Sequence, residues 1–134
     1  MKRLFVFLFV LVLVACSSTP TTPNTPTTPK KQLLGQPISI GNADLNQYWV
    51  QQNQTFSFKT PSNISPYNIQ PGFVVVEYLI DSNGHTFDAQ VVESQPEGMW
   101  DEAGLEAVTN LRYKPSKSNN SRTPVIVQST FYFN

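Results

Sequence analysis

The chain has 134 residues, with nine Lys and Arg against nine Asp and Glu, one His and one Cys. A zero formal charge lacks the basic surplus of a nucleic-acid binder, and one cysteine can form neither an internal disulfide nor a cysteine-based zinc site. With the N-terminal segments described next set aside, about a hundred residues remain to fold, enough for one two-layer core and too few for an enzyme with a deep cleft.

Lys2 and Arg3 precede residues 4–14, an unbroken apolar run of eleven residues. A spanning helix needs about 20, so this length fits a secretory signal. The run ends Leu13-Val14-Ala15-Cys16, which is similar to a bacterial lipobox, and the lone cysteine stands where the lipid-bearing cysteine belongs. Residues 1–15 are therefore expected to be a lipoprotein signal peptide. Cys16 is expected to carry palmitate-type acyl chains that anchor the protein to a membrane, each buried methylene contributing about 0.8 kcal/mol. Ser17 and Ser18 follow in place of the Asp that resembles an inner-membrane retention signal, which implies the periplasmic face of the outer membrane. Without Lys2 and Arg3 the mature chain carries seven basic and nine acidic residues.

Residues 16–36 read as a tether. Pro20, Pro23, Pro26 and Pro29 recur every third residue among threonines, a composition that favours extended polyproline II and builds no core. Thirteen such residues reach roughly 40 Å. Residues 37–71 read as an N-terminal extension of the folded domain. Within it, residues 45–50 fit a short helix or a strand, Phe56-Ser57-Phe58 alternates like a strand, and Pro61, Pro66 and Pro71 bar a long helix. Tyr48, Trp49, Phe56 and Phe58 are expected to pack onto the domain that follows.

The pattern is clearest in residues 72–134. Residues 73–80 form a strand with Val74, Val76, Tyr78 and Ile80 on one face. Asp81-Ser82-Asn83-Gly84 is a hairpin turn with Asn-Gly at its centre. Residues 86–94 return as the second strand. A helix fits residues 101–112, where Trp100, Gly104, Ala107, Val108 and Leu111 make an apolar stripe. Gly104 costs a helix about 1 kcal/mol against Ala and so marks a close approach to the sheet. Residues 123–133 form the last strand, with Val125, Val127, Phe131 and Phe133 on one face.

These elements give an α+β, β-β-α-β fold: a three-stranded antiparallel sheet in the order 2-1-3, with one helix on one face. A right-handed crossover sets the last strand beside the first, which leaves one edge of the last strand unpaired. That edge, Val125, Ile126, Val127, Gln128, Ser129, Thr130 and Phe131, is the expected partner-binding site, with its register left open. No catalytic set is expected. His85 and Ser94 are separated by roughly 30 Å of extended chain, and His85 reads as a turn residue. Asp81, Asn83 and Gly84 lack the alternating ligands of a calcium loop. Neither a metal nor another cofactor is expected.

Residues 72–133 resemble the TonB C-terminal domain family. The residues that carry the resemblance are Gly72 with Val74, Val76, Tyr78 and Ile80; Asp81 and Asn83-Gly84; Trp100-Asp101-Glu102-Ala103; Leu111-Arg112-Tyr113-Lys114-Pro115, with Leu where the family has Trp; and Phe131-Tyr132-Phe133. The resemblance implies a module that captures an extended peptide of an outer-membrane TonB-dependent receptor, or of another periplasmic protein, as an added strand in support of transport. The family's usual anchor is an uncleaved transmembrane helix, and a lipobox replaces it here. The alternative implied function is a structural or assembly lipoprotein of the envelope, whose domain pairs with another protein or with a second copy as a homodimer.

Overall fold

The computed structural model describes residues 28–52, 58–60, 62 and 64–134. The expected signal peptide, Cys16 and most of the Thr/Pro tether lie outside these residues, as do Phe56, Ser57 and Pro61.

The hairpin is the centre of the fold. Strands β3 (Gly72–Ile80) and β4 (Thr86–Gln95) pair antiparallel, with register shifts between Val75 and Val76 and between Glu77 and Leu79. Asp88, with φ of 53°, lies at the second shift. The turn is built around Asp81, which is fully buried. Its Oδ1 accepts the Asn83 and His85 backbone N–H groups at 3.0 and 2.9 Å, and its Oδ2 accepts the Gln32 N–H at 2.9 Å. A buried carboxylate persists because three amides replace its water.

Helix α2 (Asp101–Asn110) crosses β3 on the face of its even-numbered residues. Trp100, Ala103, Ala107, Val108 and Leu111 are buried there with Val74, Val76, Tyr78 and Ile80. Gly104 allows the contact: a Cβ on it would lie 2.3 Å from Val74 Cγ1. The helix stops two residues before the expected Arg112. Leu111 is extended, and Tyr113 donates its N–H to the Gly84 carbonyl at 2.9 Å. Residues 112–115 are drawn into strand pairing, Arg112 in a bridge to His85, which an α-helix would forbid.

The expected three-stranded 2-1-3 sheet with one helix is corrected by the N-terminal extension. The main sheet has four strands in the order β1-β6-β3-β4, where β1 is Ile38–Ser39 and β6 is Val125–Phe133. Strand β1 runs parallel to β6 and pairs Ile38 with Val125 and Ser39 with Ile126. Residues 45–51 are both helix and strand: a one-turn helix α1 (Leu45–Tyr48), then β2 (Trp49–Gln51). Strand β2 pairs antiparallel with β5 (Tyr113–Pro115) in a second, two-stranded sheet. A two-residue strand between Pro37 and Gly41 carries no readable period, so β1 could be found only in three dimensions.

Aromatic packing fastens the extension to the domain. Trp49 is fully buried and donates its indole N–H to the Thr123 carbonyl at 2.9 Å. Phe58 meets Phe133 edge-to-face at 4.8 Å, and Trp100 stacks on the same ring at 4.4 Å. Docking begins within the segment that the sequence reads as tether. Lys31 bonds Asp88 at 2.6 Å, and the Leu34 N–H donates to Ser82 Oγ at 2.9 Å.

Candidate functional site

The nine residues of β6 pair in regular register with β3, from Gly72 opposite Phe133 to Ile80 opposite Val125. Strand geometry then sorts them by parity. On the outer side, the Ile38 N–H donates to the Pro124 carbonyl at 3.2 Å and the Ile40 N–H donates to the Ile126 carbonyl at 3.0 Å. Even-numbered residues therefore turn their N–H and C=O away from β3, and odd-numbered residues turn theirs toward it. Among the described residues, no strand pairs with β6 beyond Ile126. The outward ladder groups on that stretch belong to Gln128, Thr130 and Tyr132.

The seven expected edge residues thus divide. Val125 and Ile126 are already paired with β1, and the side chains of Val125 and Val127 are buried in the core. Ser129 points toward the helix face, where its hydroxyl lies 2.9 Å from the Tyr78 hydroxyl. Phe131 shares that face and packs against the core. Gln128 and Thr130 are exposed. Gln128 donates to Glu77 Oε2 at 2.9 Å, and Gln90 donates to Glu77 Oε1 at 3.1 Å, so a polar ladder crosses the open sheet face. Tyr132, which lies outside the edge expected from the sequence, is 75% exposed beside Phe73. The even-residue parity that includes Tyr132 requires a register, and a register requires the partner strand.

Two hollows flank the strand. One, of about 360 Å³ on the open face, lies between Gly41 and Asn42 on one side and Val75, Ile126 and Thr130 on the other. The second, of about 250 Å³ on the helix face, reaches from Leu45 to Ser129 and is lined by Tyr78 and Tyr113 among others, whose hydroxyls bond each other. These two hydroxyls are 2.8 Å apart. Nothing in the sequence joins Tyr78, Tyr113 and Ser129, which come from three strands. His85 is half-buried at the end of the hairpin turn, with Nδ1 3.9 Å from Asp81 Oδ1.

Burial pushes both phenols above their ordinary value of 10.0. Above pH 10.0 the unfolded chain releases these protons while the folded chain retains them. Their stabilising contribution is therefore complete below that pH and declines as pH rises past it. Tyr113→Phe is expected to cost about 1 kcal/mol at neutral pH through the lost hydroxyl contact and to flatten the alkaline decline. Urea unfolding between neutral pH and pH 11 measures both effects.

Residues 67–134, half of the chain, match the family described as the Gram-negative bacterial TonB protein C-terminal. The chain belongs to this family, a protein-interaction domain of the bacterial envelope and not an enzyme family. The solution NMR structure of the Pseudomonas aeruginosa TonB CTD is similar over 70% of this chain and 91% of that chain, with 23% identity and a TM-score of 0.49. No curated protein matches the chain.

Proposed function

We propose that this protein is a lipid-anchored TonB-like module on the periplasmic face of the outer membrane. It captures extended peptides of outer-membrane receptors and assists TonB-dependent transport. The observation that carries the reading is the stretch of β6 beyond Ile126, where the outward ladder groups of Gln128, Thr130 and Tyr132 meet no described strand. Backbone bonding to such an edge gives affinity with loose demands on sequence. Cys16 and the Thr/Pro run place the edge on a tether from the membrane.

Amide exchange in the full chain in detergent micelles tests the edge. Gln128, Thr130 and Tyr132 are expected to exchange fast alone and slowly with synthetic peptides from the periplasmic segments of outer-membrane receptors. Val127 and Ser129, bonded to β3, stay slow throughout. Thr130→Pro deletes an outward N–H and leaves the β3 ladder intact. It should lower peptide affinity about tenfold, roughly one hydrogen bond. Slow exchange at all five positions without peptide, unchanged when peptide is added, overturns strand capture. The second reading, envelope assembly without transport, draws on β1, which shortens the edge from within the chain. Receptor peptides without effect, with the same three amides protected by an envelope protein or a second copy, would favour it.

A further inference from the structure

We propose that the helix-face hollow beside Ser129 is a side-chain pocket of the binding edge, selective for a neutral carboxamide, Gln or Asn, on the captured strand. The inference rests on the strand-addition reading and names what that strand must carry.

Position comes first. An added strand lies about 4.8 Å outside β6. Its residue beside Ser129 points to the same face as Ser129, and in an antiparallel arrangement the two form a non-hydrogen-bonded pair, whose side chains approach most closely. That face opens into the hollow, whose apolar walls are Leu45, Leu111 and Phe131 and whose polar lining is Tyr78, Tyr113 and Ser129 together with Asn42, Gln51 and Thr130.

Chemistry comes second. Tyr113, Tyr78 and Ser129 form a chain of hydroxyls with contacts of 2.8 and 2.9 Å. Three hydroxyls carry three protons, and the two contacts use two of them. Whichever way the chain is oriented, one O–H is left over; it is that of Ser129, the residue beside the added strand, when Tyr113 donates to Tyr78 and Tyr78 donates to Ser129, and lone pairs are then left to accept. None of the side chains lining the hollow is charged. A carboxamide accepts from the spare O–H and donates to a lone pair. A carboxylate would lose its water with no cation to replace it. An aliphatic side chain would expel water and leave the O–H unsatisfied. A phenol is neutral at physiological pH, and burial pushes both of these still further from ionising, so the hydroxyl chain keeps its three protons.

The test titrates the full chain in detergent micelles with three host peptides, acetyl-Thr-Val-Thr-Xaa-Thr-Val-Thr-amide, where Xaa is Gln, Glu or Leu. The Gln peptide is expected to bind about tenfold more tightly than either of the others, the equivalent of roughly 1.4 kcal/mol. Ser129→Ala leaves the spare O–H on the buried phenols and removes the one hydroxyl that stands directly beside the added strand, so it should bring the three affinities within about twofold of one another, and Ser129→Thr, which keeps a hydroxyl there, should preserve the Gln preference. Equal affinities in the wild-type chain, with the Gln128, Thr130 and Tyr132 amides still shifting, overturn the pocket and leave strand addition standing. Retention of the full Gln preference by Ser129→Ala also overturns the pocket. Absence of any amide shift with all three peptides overturns the pocket and strand addition together.

Discussion

Gly84→Ala is expected to destabilise the domain by about 3 kcal/mol or more, a large part of the 5–15 kcal/mol typical of a small domain. Two costs add at this position. Its φ is +81°, where a Cβ costs roughly 1–2 kcal/mol. That Cβ would also stand 2.0 Å from the Tyr113 carbonyl oxygen. Backbone cannot rotate aside as a side chain can, so either the hairpin turn opens or β5 moves. If β5 moves, the Tyr113 N–H bond to the Gly84 carbonyl is lost, worth about 1 kcal/mol, and the Tyr113 ring is unseated from the core. Gly98 supplies the control. Its φ is +74°, but a Cβ there would meet no atom within 4 Å, so Gly98→Ala should show the backbone cost alone, about 1–2 kcal/mol. Urea unfolding of both variants measures the difference, and equal losses would show that the contact with Tyr113 is immaterial.

Cys16→Ala is expected to abolish membrane attachment. The substitution removes the sulfur that accepts the acyl chains. With about 0.8 kcal/mol per buried methylene, their loss leaves nothing comparable in residues 17–36, which are Thr, Pro, Ser and Lys for the most part. Labelled palmitate incorporation should fall to background, and the domain should leave the membrane fraction. A variant that stays with membranes and runs uncleaved would make residues 4–14 the anchor and defeat the lipid reading. Sucrose-gradient fractionation of the wild-type chain tests the outer membrane separately, and a band at the inner-membrane density would reject it.

The sequence by itself determined the parts of this protein made by neighbours along the chain. Alternation from Gly72 to Ile80, Asn83-Gly84 at the turn and the stripe from Trp100 to Leu111 each lie within one element, so periodicity exposes them. Gly104 even marked the contact with Val74, because a glycine inside a helix needs a steric reason. The family resemblance rode on the same local patterns and covered the same half of the chain. Only the tertiary structure decided that β1 pairs with Val125 and Ile126, that Trp49 reaches Thr123, that Gln32 satisfies Asp81, and that Tyr78, Tyr113 and Ser129 meet. Each of these joins residues 35 or more positions apart. Such contacts leave no local period, and a two-residue strand has too few side chains to show one. The usable part of the binding edge is set by the same long-range pairing: which amides of β6 face outward depends on the register that β3 and β1 impose on it.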